Sequence, residues 1–200
     1  MKKISIVFFS GSGHTKLMAE AVHRGAASIP ETEAELIQIS GSDITEGRWK
    51  NEAVLQKIGA SDAIIFGTPT YMGGPAAQFK AFADATGMIW FQQGWRNKLA
   101  GGFTHSGSPS GDKLSTLQYL ADLAFQHGMI WAGLGAIPST YFGQTDGFNR
   151  LGFYHGAAGV TPFNPGAAPV VDAGDLLTAE RYGQRIATLA SGYTPPSAKA

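Results

Sequence analysis

"FFSGSGHT", residues 8–15, closes the apolar run Ile4-Ser5-Ile6-Val7-Phe8-Phe9 with a string of small and hydroxylated residues, and a helical pattern takes over by Lys16. An uninterrupted apolar run of this length suits a strand buried on both faces, which is the mark of a parallel sheet. The strand is therefore central. Downstream, Met18, Ala21, Val22, Gly25 and Ile29 recur at helical spacing and Pro30 follows, so Thr15 to Ser28 reads as the first crossover helix.

The same alternation continues along the chain. Residues 34–39 read as an edge or near-edge strand, 52–58 as a short helix and 62–67 as a buried strand that ends in the breaker-rich stretch 68–74. A helix over 76–86 and a weaker strand over 98–104 come next. Leu114, Leu117, Leu120, Ala121, Ala124 and Phe125 then line one stripe of a helix over 113–126, with Gly128 placed to end it in a left-handed conformation. Residues 129–134 supply the fifth strand, and Thr178 caps a last helix running to Ser191. Strands alternating with helices predict an α/β fold: a doubly wound, five-stranded parallel sheet in the order 2-1-3-4-5, with right-handed crossovers and helices on both faces.

At 200 residues the chain fits one domain over 1–200, able to bury about 70% of its extended surface. The 15 basic and 15 acidic residues cancel, so no long-range field favours nucleic acid or anionic lipid. Absence of Cys removes thiolate metal sites and Cys nucleophiles, and no metal is expected. The apolar start is too short for a signal core or a membrane span, which makes a cytoplasmic protein the default. Gly is abundant, at 27 residues, and it clusters between periodic segments, where backbone would turn tightly or approach a ligand. Residues 135–174 lack a clear period but carry Tyr141, Phe142, Phe148, Phe153, Tyr154 and Phe163, as expected of a functional cover rather than a disordered tail.

In an open parallel sheet the loops at the strands' carboxyl ends share one rim, and ligands sit where the strand order reverses. Loops 10–15, 68–74 and 104–111 would converge there, each rich in Gly and hydroxyls. The first is not a Walker loop, and "GSGHTK" puts Lys16 where a dinucleotide fingerprint needs its third Gly. Ser10, Ser12 and Thr15, with the N–H groups of a helix N-terminus, instead suit a single terminal phosphate such as that of FMN. Taken alone, the loop would equally serve as a tight strand-to-helix turn.

The stretches "FFSGSGHT", "IIFGTPTYMGGPAAQFKAFADATGMIW", "KLAGGFTHSG" and "FQHGM" resemble flavodoxin-like proteins, most closely the WrbA-type NAD(P)H:quinone oxidoreductases. The resemblance covers most of the chain. It implies that Ser10, Gly11, Ser12, Gly13, His14 and Thr15 hold the FMN phosphate, and that Pro69, Thr70, Tyr71, Met72 and Gly73 line the isoalloxazine. It further implies that His105, Ser106, Gly107 and Ser108, with Gly111 nearby, meet the ring from the third loop, that His127 belongs to the flavin site, and that Trp90 contacts substrate. The implied activity is transfer of two electrons from NAD(P)H to quinones by a ping-pong cycle, in a homo-oligomer, dimer or tetramer. A one-electron carrier between protein partners is the alternative; such carriers are commonly acidic, and this chain is neutral. No acid-base pair stands out, and none is required if the cofactor carries the chemistry.

Overall fold

In a computed structural model of the chain, which describes residues 1–196, strand β1 (Lys2–Phe8) lies inside a parallel sheet. It pairs on one side with β2 (Thr32–Gln38) and on the other with β3 (Ala63–Tyr71), which in turn pairs with β4 (Leu99–Ser106). The fifth position is shared by β5 (Ile130–Trp131), against the start of β4, and β6 (Ala157–Val160), against its end. The order is 2-1-3-4-5, as expected. The helices are α1 (His14–Ala27), α2 (Glu52–Gly59), α3 (Ala77–Ala85), α4 (Gly87–Phe91), α5 (Lys113–Gln126) and α6 (Ala173–Gly192).

Alternation along the strands explains the two cores. Ile4, Ile6 and Phe8 of β1 face α1 and α6, joined by Ala63 and Ile65, while Val7, Ile64 and Phe66 face the opposite layer with Phe79, Phe82, Trp95 and Leu120. On the first face α1 and α6 meet almost backbone to backbone. A Cβ on Gly25 would lie 1.8 Å from the Glu180 carbonyl oxygen, and one on Gly183 would lie 2.0 Å from that of Val22. Only residues without a side chain permit that approach.

Four sequence expectations need correction. The third strand does not stop at Gly67; it runs to Tyr71 and folds back through Met72 and Gly73, both left-handed, so that Thr70 opposes Pro75 and Tyr71 opposes Gly74. Pro69 is tolerated because β1 pairing ends at Gly67 and the returning chain pairs only from Thr70, leaving Pro69 itself a neighbour only on the β4 side. The fifth strand does not run from 129 to 134 as one piece, because residues 133–156 leave the sheet and return as β6. Residues 135–174 also contain a 3-10 turn (Ser139–Phe142), β6 and the start of α6. Finally, Thr178 is not the cap of the last helix: the Asp172 carboxylate accepts the Gly174 N–H at 2.8 Å, and the Thr178 hydroxyl instead donates to the Gly174 carbonyl. Gly128 does end α5 left-handed, at φ 67°.

No helix among the described residues is long and apolar enough to cross a membrane. No cluster of three or more His, Asp or Glu side chains suited to a metal occurs among them either.

Candidate functional site

The loops that follow β1, β3 and β4 at the carboxyl rim converge on a cavity of about 630 Å³, within the usual range for small-molecule sites. Its walls include Ser12, His14 and Thr15 from the first loop, Pro69, Thr70 and Tyr71 from the second, and His105, Ser106 and Gly107 from the third. A fourth wall comes from residues 161–170, which follow β6.

The first loop is built as a helix entrance. The Ser10 hydroxyl oxygen accepts N–H bonds from Gly13 (3.1 Å) and Lys16 (3.2 Å), so this side chain organises the turn from within. Gly13 takes φ 91°, and a Cβ there would lie 2.7 Å from Pro169 of the covering segment. Both facts require Gly. The first turn of α1 thereby points N–H groups, the Thr15 hydroxyl and the His14 ring toward the cavity, and no acidic residue occupies that turn.

The second and third loops are tied by hydroxyls. Thr70 bonds to Thr104 (2.9 Å) and Thr116 (2.8 Å), and Thr104 donates to the Thr68 carbonyl at 2.7 Å. These bonds hold Thr70 inward. Tyr71, by contrast, is 45% exposed and reaches across to the first loop, where its hydroxyl would be 2.5 Å from a Cβ on Gly11. Lys113, fully buried at the start of α5, donates to the Ser106 hydroxyl (2.8 Å) and the Ser108 carbonyl (2.6 Å), closing the third loop around its ammonium. Gly111 and Asp112 make that closure through left-handed conformations. Burial holds the Lys113 ammonium down to about 8.

His105, at the end of β4, is buried and lies parallel to His14, with ring centroids 4.8 Å apart and planes inclined by 12°. Burial, and then the nearness of His14 and Lys113, lowers it to about 3, so the ring is neutral. His105 therefore faces the first loop as well as the third.

The remaining residues expected at the site divide in two. Ser10, Gly11, Gly13, Met72, Gly73, Ser108 and Gly111 belong to the three loops without forming the cavity wall, and Met72 projects wholly into solvent from its turn. His127 is elsewhere. It follows the far end of α5, roughly 20 Å along the helix from Lys113. There its Nε2 meets the Thr86 hydroxyl at 2.8 Å and its ring packs 4.4 Å from that of Trp95. His127 therefore lies outside the wall of this chain's own cavity. Trp90, on α4, is half exposed and also outside the wall. Sequence reasoning missed Lys113, whereas the 161–170 wall falls within the 135–174 segment expected as a functional cover, where Pro162, Pro165, Gly166 and Pro169 punctuate a loop.

The model of the family described as NADPH-dependent FMN reductase matches residues 4–141. Flavodoxin FldP of Pseudomonas aeruginosa (strain UCBPP-PA14) is 40% identical over 191 residues, covering 94% of this chain and 97% of that protein. A NAD(P)H dehydrogenase (quinone) of Syntrophobacter fumaroxidans is 32% identical, covering 96% and 98%. The crystal structure of the flavodoxin, WrbA-like protein from Agrobacterium tumefaciens superposes with a TM-score of 0.74 at 41% identity, covering 97% of this chain and all of that one. With its parallel sheet, its three-loop rim and these relatives, the chain belongs to the NADPH-dependent FMN reductase family and is a flavodoxin-like protein of the WrbA type.

Proposed function

We propose that the rim cavity holds FMN and that the protein moves two electrons from NAD(P)H to a quinone, in a ping-pong cycle. The observation that carries this reading is the convergence of the three loops on one cavity whose donors suit a phosphate at one end and whose flanking Tyr71 suits a flat ring beside it. The residues present fit the group. Ser12, Thr15 and the amides of the first turn of α1 offer hydroxyl and N–H donors to the phosphate, and Ser10 and Gly13 shape the turn that aims them. Pro69, Thr70 and Tyr71, with Met72 and Gly73 at the turn, flank the ring from one side, and Ser106, Gly107 and Ser108 meet it from the other.

FMN supplies the acceptance and return of hydride equivalents; the overall balance is NAD(P)H plus a proton plus quinone giving NAD(P)⁺ plus quinol. This chain's residues bind and orient, and no side chain needs to act as a general base. Trp90 is exposed outside the cavity, so its substrate role calls for a second copy that brings it to a neighbouring rim, as a dimer or tetramer would. Residence in the cytoplasm is part of the same proposal.

Anaerobic mixing of the FMN-loaded protein with NADPH and with NADH tests the reading. Loss of the flavin's visible absorbance with either supports it, and no loss with both removes it. The relative named flavodoxin favours a second reading, a one-electron carrier between proteins. A protein that photoreduces readily yet ignores both nicotinamides would establish that alternative.

A further inference from the structure

We propose that capture of FMN by this chain is proton-linked: the phosphate arrives as a dianion, and the stacked pair His14 and His105 takes up a proton to meet it. The inference rests on the FMN reading above and deepens it. Its starting point is the chemistry of the cavity wall. No Lys, Arg, Asp or Glu contributes to that wall; the titratable side chains there are His14, His105 and Tyr71. A phosphate monoester carries between 1.5 and 2 negative charges near neutral pH, to the approximation of a second pKa of about 6. Hydroxyls and amides donate to such a group but do not neutralise it. The two imidazoles are the groups within the wall that are able to.

The hydrogen bonds around His105 fix where the proton would go. The Thr161 hydroxyl donates to the Val170 carbonyl at 2.6 Å, so its oxygen accepts from His105 Nε2 at 3.0 Å. Neutral His105 therefore carries its hydrogen on Nε2 and leaves Nδ1 as the basic atom. His14 Nδ1 lies 3.0 Å from the Ser12 hydroxyl, inside the loop that receives the phosphate. Parallel rings 4.8 Å apart repel each other when both are charged, so the pair accepts one proton rather than two.

The surrounding charges leave this role to the pair. From α1 come His14 itself and the exposed Lys16, paired at 3.9 Å with Glu20. At the start of α5 stand Asp112 and Lys113, and the Lys113 ammonium is committed to the third loop. Asp175 of α6 is held by Arg150 and by the Val160 N–H. Strand β3 offers Tyr71, whereas β6 and residues 161–170 carry no titratable side chain. Burial first, and the nearby Lys113 ammonium after it, keep His105 neutral, and a dianion reverses the sign of that neighbourhood. More protons are then bound in the complex than in its parts, so affinity rises as pH falls.

Titration calorimetry of the flavin-free protein with FMN at pH 7.5, in PIPES and in Tris, reads the proton directly from the difference in heat. The expected result is a net uptake of protons on binding FMN that grows toward pH 6.5, with a dissociation constant that falls in parallel. Riboflavin, which lacks the phosphate, should bind without uptake. His14→Asn and His105→Asn, verified as folded by circular dichroism, should bind FMN more weakly and with the uptake reduced or lost. Binding of FMN with no dependence on buffer overturns the inference and leaves the FMN reading standing. Equal uptake with riboflavin, or full uptake surviving in both variants, overturns it as well. No binding of FMN to the unmodified protein removes the underlying reading and this inference with it.

Discussion

His105 and His127 are both buried histidines near the ends of β4 and α5, and both are held neutral, yet they belong to opposite ends of the molecule. His105 stands at the carboxyl rim, one face against His14, its Nε2 bonded to Thr161, with open volume beside it. His127 stands at the base, closed in by Trp95 and Thr86, and its Nδ1 has no partner among the described residues. Burial alone lowers His127 to about 4, whereas His105 answers also to His14 and Lys113. A depressed histidine is thus a feature of this fold's core as much as of its cavity. What separates the two is the space beside the ring.

The separation is open to experiment, and the largest effect belongs to the base. His127→Ala removes a packed ring from beneath Trp95 and strips the Thr86 hydroxyl of a partner, and should cost about 4 kcal/mol in denaturant unfolding. FMN affinity should stay within about twofold of the unmodified protein. A severalfold loss of affinity at unchanged stability would erase the division between the two ends. Next is the acid limb. The unfolded His127 takes up a proton near its ordinary pKa of about 6.5 and the folded one not until about 4. More protons are bound in the unfolded state across that window, so stability is lost as pH falls from 6.5 to 4, by on the order of 3 kcal/mol. His105 adds loss of the same sign down to about 3 in flavin-free protein. Urea midpoints measured across this range should fall less steeply in His127→Gln.

A smaller effect is expected at the rim. Gly13→Ala forces a Cβ onto Pro169 in a left-handed backbone, at a cost of about 1.5 kcal/mol, and should weaken FMN binding by about tenfold as the first turn of α1 shifts. Fluorescence titration reads the binding and thermal melting the stability. Trp90→Ala lies at the bottom of the scale. Its exposed ring should cost less than about 0.5 kcal/mol of stability, while the KM for quinone rises severalfold and the flavin is retained. An unchanged KM would take Trp90 out of the substrate's path.

The rim was legible in the sequence because its signals are local. An apolar run followed by Gly and hydroxyls announces a strand that empties into a loop, and three such junctions define the cavity. The left-handed Gly128 was equally plain, and so was the middle of the α5 stripe, Leu117, Leu120, Ala121 and Ala124, whereas Leu114 and Phe125 are exposed and Lys113 and Thr116 complete the buried face. Other features depend on partners distant in the chain. Nothing near His127 announces Thr86, 41 residues earlier, as its hydrogen-bond partner. Thr178 has the composition of a cap, but Asn149, 29 residues away, donates its N–H to the Thr178 hydroxyl while Asp172 caps the helix. Pro69 reads as a strand breaker until β4 is known to be its one neighbour at that level. Within the expected 135–174 cover, the part that reaches the cavity could not be singled out because its position depends on β6, and β6 reads as a short neutral "AAGV" with no period of its own.

The divided fifth strand has a mechanical corollary. Residues 133–156 depart from the base of the sheet and rejoin it at β6, directly before the segment that roofs the cavity. Arg150, within that excursion, grips Asp175 with two bonds of 2.8 Å, and the same carboxylate anchors the Val160 amide. Arg150 reaches Asp172 as well, at 3.2 Å, so one guanidinium ties the excursion both to the start of α6 and, through Asp175, to the strand that leads into the roof.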